Sequence, residues 1–161
     1  VTGIYLSNYV RWDPWKQNHS MLKYGFAPEN SKYTFDQYER SGSSVYYGVH
    51  DLLRLENHGY CKVREQLSRE IRHNRISRIN AKKLYVLYSN QYVDIKPFFD
   101  WIGSTNSGYK LFLKERFKYS YKKLLNKTNK TISMKNYFNT SYFEDESHAI
   151  TKDFIVYHKG I

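Results

Sequence analysis

Apolar residues recur along this chain at helical spacing. In residues 59–85, GYCKVREQLSREIRHNRISRINAKKLY, Val63, Leu67 and Ile71 fall four apart and share one helical face that can point into a core. Arg64, Ser68 and Arg72 form a second file with the same spacing, one residue round the cylinder. Asn74 tolerates the left-handed backbone that ends a helix, and Ser77 stands where it can cap the next one. That second helix is expected to bury Ile79, Ala81, Leu84 and Leu87 in some combination. The stretch therefore predicts two helices joined by a tight basic turn, with Arg72, Arg75 and Arg78 around it. Such a turn is either a solvated corner or an anion site. Guanidinium groups grip phosphates and carboxylates in a bidentate way, but basic residues also offset the dipole at a helix end.

The flanking pattern is mostly helical as well. Residues 3–9 (GIYLSNY) form a short apolar run that predicts a strand. Asp13-Pro14 starts a helix, with Asp13 as N-cap and Pro14 at the first helical position, and Gly25 stops it. Residues 27–44 are polar and rich in turn formers, with a helical turn or two within YTFDQYER. Residues 45–58 predict a helix with Val49, Leu52, Leu53 and Leu55 on or beside its buried face, ended by Gly59. Residues 95–102 give a short helix carrying Phe98, Phe99 and Trp101, closed by Gly103. Thr105 caps a further helix whose apolar stripe holds Tyr109, Phe112, Leu113 and Phe117. Residues 119–145 lack a sustained period and predict loops or marginal structure, and 153–157 (DFIVY) a terminal strand or a docking segment. The fold class expected is mainly α with a short N-terminal strand.

Length and charge narrow this picture. A chain of 161 residues, 40% hydrophobic, is long enough for one domain with a real core. The 17 tyrosines and 9 phenylalanines come with abundant Lys, Asn and Ile, a bias that an AT-rich genome produces, so aromatic richness carries no functional weight here. The formal charge is +11, and residues 110–136 hold eight lysines and one arginine against one glutamate. Such a stretch favours polyanions, or is a solvated basic surface. Lys118, Lys122 and Lys123 interleave with Tyr119 and Tyr121, which suits backbone neutralisation with base stacking, but no recognised nucleic-acid module accompanies them.

Other chemistries find little support. Cys61 is the only cysteine, so there is no internal disulfide framework and no cysteine-only metal site. Six histidines invite a metal, yet His50 and His58 lie two helical turns apart without a third ligand at a binding spacing. There is no Gly-rich P-loop and no dinucleotide fingerprint. No stretch has the length of apolar sequence that crosses a membrane, and no signal-peptide pattern is present, so a cytoplasmic location is the default expectation. The glycosylation-type triplets at Asn18, Asn126, Asn129 and Asn139 are read as chance in an Asn-rich chain. A start at Val1, entering structure at once, points to a piece of a longer protein.

Several motifs in order carry a family resemblance. YLSNYVRWDPWKQ is similar to a stretch of strand, N/D-Y, W-D-P and a following Gln in the N-acetyl sugar amidotransferases. GVHDLLRLENHGY is similar to that family's H-D-Y-L-K-y-x-K-f-G-Y. The strongest match, REQLSREIRHNRISRINAKKL, resembles T-D-x-A-S-x-D-I-R-x-G-R-I-S-R-E-E-A-I-x-L, and FFDWIGSTNSGYKLFLKERF extends it more weakly. Residues 4–118 are covered. Beyond Lys118 the match fades, apart from an ending, FIVYHKGI, that suits the family. The sequence departs from the pattern at Cys61 and Asn74, where the family has Gly, and at Glu65, where it tends to have Asp.

The resemblance implies a fold and a reaction. The chain would be the helical C-terminal part of an α/β PP-loop enzyme, adenine nucleotide alpha hydrolase-like, of surface-polysaccharide sugar biosynthesis. Residues 1–118 would be the amidotransferase portion and 119–161 a basic, irregular segment. Family members adenylate the carbonyl oxygen of a sugar N-acetyl group with ATP, and ammonia then displaces AMP to leave an acetamidino group. ATP, with Mg2+, would be bound mainly by an N-terminal domain bearing the S-G-G-x-D-S-type loop. That loop and a cysteine-rich segment would lie before Val1, so this stretch alone is expected to be inactive. The implied partners are a nucleotide-linked N-acetyl sugar and a glutaminase and synthase pair that supplies ammonia.

The residues the resemblance brings forward are Arg72, Arg75 and Arg78 for a phosphate or diphosphate, with Arg64 and Glu65 in the same cleft. Gln17 joins them as a binding residue, and Glu65, His50 and Asp13 are the candidates for catalysis. Against these stand a capping role for Asp13 and, for His50, a satisfied helix histidine. Two further readings remain beside the enzyme: a basic helical nucleic-acid-binding domain, and a docking module for the ammonia-supplying partner.

Overall fold

The computed structural model describes residues 3–5, 8–10, 12–26, 33–36, 47–117, 124 and 130–139. Within them six α-helices follow one another: α1 Pro14–Met21, α2 Tyr47–His58, α3 Lys62–Arg72, α4 Arg78–Ser89, α5 Lys96–Trp101 and α6 Asn106–Arg116. No strand is formed among the described residues, and the mainly α expectation holds for them. The N-terminal strand expected over 3–9 is not seen in its described part. Gly3, Ile4 and Tyr5 are exposed, and the Asn8 N–H turns back to the Tyr5 carbonyl at 3.0 Å. A lone extended run with no sheet to join leaves its backbone groups to water and turns. The terminal strand expected at 153–157 lies outside the described residues, as does most of 27–44.

Local chemistry sets the helix ends. The Ser77 hydroxyl accepts the Asn80 N–H at 3.2 Å, and the Thr105 hydroxyl accepts the Gly108 N–H at 3.1 Å. Asn74 takes φ 58° after α3, the left-handed position its short amide tolerates. Gly59 (φ 72°) closes α2, its N–H donating to the Leu55 carbonyl. Asp13 occupies the N-cap position of α1 but makes no side-chain cap. Its carboxylate is drawn instead to Arg75, 62 residues away.

Two apolar cores result among the described residues. The first joins α3 and α4 through Val63, Leu67, Ile76, Ala81, Leu84 and Tyr88, with Phe35 and Phe138 packed ring against ring at 5.1 Å. The second gathers Val49 and Leu52 of α2, Val93, Ile95, Phe99 of α5, Leu113 of α6 and Phe117 just past its end. Ile79, expected among the inward residues of α4, is 69% exposed, because Ala81, Leu84 and Tyr88 define the buried face.

Residues beyond 118 take part in both cores. Leu124 is buried in the second, and 130–139 lie across the α3–α4 corner. There Ile76 and Phe138 form an isolated antiparallel bridge, the Asn139 N–H donates to the Arg75 carbonyl at 2.7 Å, and Asn80 Nδ2 donates to the Tyr137 carbonyl at 3.1 Å. Gln91 closes the other end of this strap, donating to the Lys130 carbonyl and accepting its N–H.

Candidate functional site

The inner side of α3 is polar at its centre. Gln66 and Glu70 continue the buried face begun by Val63 and Leu67, and both are about 1% exposed or less. Gln66 accepts a hydrogen bond from the buried Thr34 hydroxyl. Glu70 sits between two guanidiniums, accepting from Arg69 Nε at 2.9 Å and from Arg75 Nη1 at 3.0 Å. Arg69 also donates to Asp36 at 2.9 Å. Arg75 reaches Asp13 with both terminal nitrogens, Nη1 to Oδ1 at 3.2 Å and Nη2 to Oδ2. Asp36, Arg69, Glu70, Arg75 and Asp13 thus form one chain of alternating charge. It ties the loop at 33–36 and the start of α1 to α3. Burial pushes the Glu70 carboxyl above the ordinary carboxylate range, against the pull of Arg75 and Arg69, and the nearby Asp13 carboxylate adds to the rise.

This arrangement divides the expected anion turn between interior and surface. Arg75 is 3% exposed and its terminal nitrogens are engaged by carboxylates, so it is a structural cation and not a surface hand for a ligand. Asp13 is likewise committed to Arg75, with His73 Nδ1 4.0 Å away. The three arginines do not converge. Arg75 points inward, Arg78 is exposed at the start of α4, and Arg72 lies on the outer face of α3.

The outer face of α3 does gather part of the expected set. Tyr60, Arg64, Glu65, Ser68 and Arg72 line an open groove of about 420 Å³. The file Arg64–Ser68–Arg72 runs two helical turns, about 12 Å of axial rise. The Arg64 guanidinium carbon lies 5.4 Å from the centre of the Tyr60 ring, and that of Arg54 lies 5.9 Å from it, both within cation–π range. Glu65 pairs with Arg54 at 3.1 Å and with Lys62 at 3.4 Å, so its charge is already met. The Arg54 guanidinium is held above its usual value: burial is the largest single influence and acts downward, but the Glu65 carboxylate, Tyr47 and Asp51 together outweigh it. Among the described residues neither Arg64 nor Arg72 has an acidic partner, which leaves the groove cationic. Ser68 Oγ donates to the Arg64 carbonyl at 2.8 Å and keeps its lone pairs for a donor.

The remaining candidates lie elsewhere. His50 is exposed on α2 with its ring 5.6 Å from that of Tyr47, and Gln17 is exposed on α1; neither lines the groove. No group of three His, Cys, Asp or Glu among the described residues could hold a metal ion. The groove therefore offers charge and a ring face, suited to binding an anion, and no acid or base free of an ion pair. Asp51 is a polar residue that sequence reasoning missed. Buried on α2, it accepts the Lys62 N–H at 2.6 Å and caps α3 from a neighbouring helix, fixing the groove's upper end.

No family model, no curated protein and no solved structure matches this chain.

Proposed function

We propose that this chain is the helical C-terminal part of an ATP-dependent N-acetyl sugar amidotransferase of the PP-loop type, and that its α3 groove receives a phosphate of the nucleotide-linked sugar or of ATP. The observation that carries the reading is the pair of guanidiniums, Arg64 and Arg72, without an acidic partner among the described residues, on one rigid helix face beside an aromatic ring. Charge-assisted bonds of this kind contribute about 1.5–3 kcal/mol each to anion binding. The ordered motif resemblance over residues 4–118 supplies the reaction class.

In that reaction the carbonyl oxygen of the sugar acetamido group attacks the α-phosphorus of ATP, and pyrophosphate leaves. Ammonia then adds to the activated carbon, AMP departs with the oxygen, and a proton is released. A poor leaving group becomes a good one, so the protein's work is positioning and charge neutralisation. Arg64 and Arg72 would hold the substrate phosphate, and Tyr60 would keep Arg64 oriented. Glu65 would act as an anchor for Arg54 and Lys62 and not as a proton carrier. Mg2+ would arrive with ATP on the PP-loop half. Glutamine-derived ammonia would come from a separate glutaminase and synthase pair.

Calorimetric titration of the chain with a nucleoside-diphosphate N-acetylhexosamine tests the groove. Arg64→Ala and Arg72→Ala should each weaken binding by about tenfold or more, from the bond energies above. Equal binding by both variants and wild type would remove the groove from the site. The reading also requires a PP-loop of the S-G-G-x-D-S type on the same polypeptide.

A further inference from the structure

We propose that the outward face of α4 docks on a bilayer surface that carries anionic headgroups. This face is built differently from the arginine groove and stands independently of the amidotransferase reading. Ala81, Leu84 and Tyr88 turn one side of α4 into the core. Directly opposite, Ile79 and Val86 lie seven residues apart on one line, 69% and 54% exposed. Lys82 and Lys83 flank that line on either side, and Arg78 stands at its N-terminal end, all exposed. Helix α4 contains no acidic residue, and among the described residues these three cations make no ion pair.

The charge runs against the helix's own preference. A cation in the first turn opposes the positive end of the dipole, and the first turn of α4 holds no acidic side chain to relieve it. An anionic occupant would. The face is also held in place before any contact, by the buried side of the helix, by the Ser77 cap and by the Asn80 bond to Tyr137.

The shape of the face chooses the occupant. A single convex helix ridge offers no groove for a partner helix to lie in. A nucleic acid would press phosphates onto two aliphatic side chains at the centre of the patch. A lipid surface suits all the parts. Ile79 and Val86 enter the acyl boundary, while the lysine stems run alongside them and bring their ammonium groups up to headgroup phosphates. No helix among the described residues is long and apolar enough to cross a membrane, so the contact is with the surface.

Sedimentation with phosphatidylcholine vesicles, with and without about one-third phosphatidylglycerol, tests this. Wild type should bind the anionic vesicles and not the neutral ones. Lys82→Glu with Lys83→Glu should lower binding by about tenfold or more, and Ile79→Ser with Val86→Ser should lower it comparably. All four substituted positions are exposed, so thermal unfolding should stay at the wild-type temperature. The control is Lys110→Glu with Lys114→Glu on the solvent side of α6. If the control loses as much as the α4 lysine pair, or the serine pair loses nothing, attraction is diffuse charge and the proposal falls. Absence of vesicle binding, or single-stranded RNA binding that depends on Lys82 and Lys83 but not on Ile79 and Val86, overturns it equally.

Discussion

Replacing Arg75 separates a structural cation from a ligand-binding one. In Arg75→Ala the guanidinium disappears from between Glu70 and Asp13, whose side chains are 1% and 12% exposed. Breaking a buried ion pair by removing one partner costs about 3–5 kcal/mol, because the other charge stays buried. Two features place this case at the lower end. Glu70 keeps Arg69 at 2.9 Å, and Asp13 keeps some water and the neighbouring His73. The expected loss is about 3 kcal/mol, a large share of the ~5–15 kcal/mol that holds a domain of this kind. Arg72→Ala, on the outer face, should change stability by about 0.5 kcal/mol or less. Equilibrium urea unfolding of both variants measures the contrast. A double replacement, Glu70→Met with Arg75→Met, should recover part of the loss, since apolar side chains of similar volume remove the stranded charge. An Arg75→Ala protein as stable as wild type, but defective in anion binding, would refute the structural assignment and return Arg75 to the site.

Two further perturbations probe the same framework. The Glu70 carboxyl titrates above the ordinary value in the folded state, so between those two values the folded chain binds more protons than the unfolded one, and stability falls as pH rises. Wild type should therefore lose stability relative to Glu70→Gln as pH climbs from about 4.5, and a relative gain over that window would contradict the burial of the carboxyl. At Gly48 an added Cβ would meet Val93 Cγ1 at 3.0 Å and the Tyr33 ring at 3.3 Å. Gly48→Ala should thus destabilise by about 1–2 kcal/mol despite the better helix propensity of alanine, as thermal unfolding would show, and a stabilised variant would mean that α2 and Val93 are less closely packed.

The parts legible in the sequence are those decided by near neighbours. Ser77 and Thr105 cap the helices they precede, Gly25, Gly59 and Gly103 take left-handed backbone at helix ends, and Asn74 turns the α3–α4 corner. Each depends on three or four consecutive residues. The files on α3 were also readable, and the outer one, Arg64–Ser68–Arg72, lines the groove. Arg75 was not. Its partners stand 5 and 62 residues away, and an arginine is by default a surface residue, so nothing at short range marks it as buried. One signal was available. Val63, Gln66, Leu67 and Glu70 follow the i, i+3, i+4, i+7 pattern of an inward face, which places two polar residues in the core. A buried glutamate then calls for a cation, and the adjacent turn holds the nearest ones.

That buried glutamate also explains how the two sides of α3 depend on each other. A helix of eleven residues is marginal alone, and its stability comes from packing its inner face. Here the inner face is held partly by ions. Asp36, Arg69, Glu70, Arg75 and Asp13 fix the rotation of α3 about its axis, since turning it by one residue would pull Glu70 out of reach of Arg75 and Asp36 away from Arg69. Rotation of the inner face is rotation of the outer one. The directions in which Arg64 and Arg72 leave the helix are therefore set by carboxylates on the opposite side, some of them from the start of α1 and the 33–36 loop. A groove whose cations are positioned this way keeps both guanidiniums outward, and among the described residues neither collapses onto a nearby acid, because Glu65, Glu70 and Asp13 are already occupied.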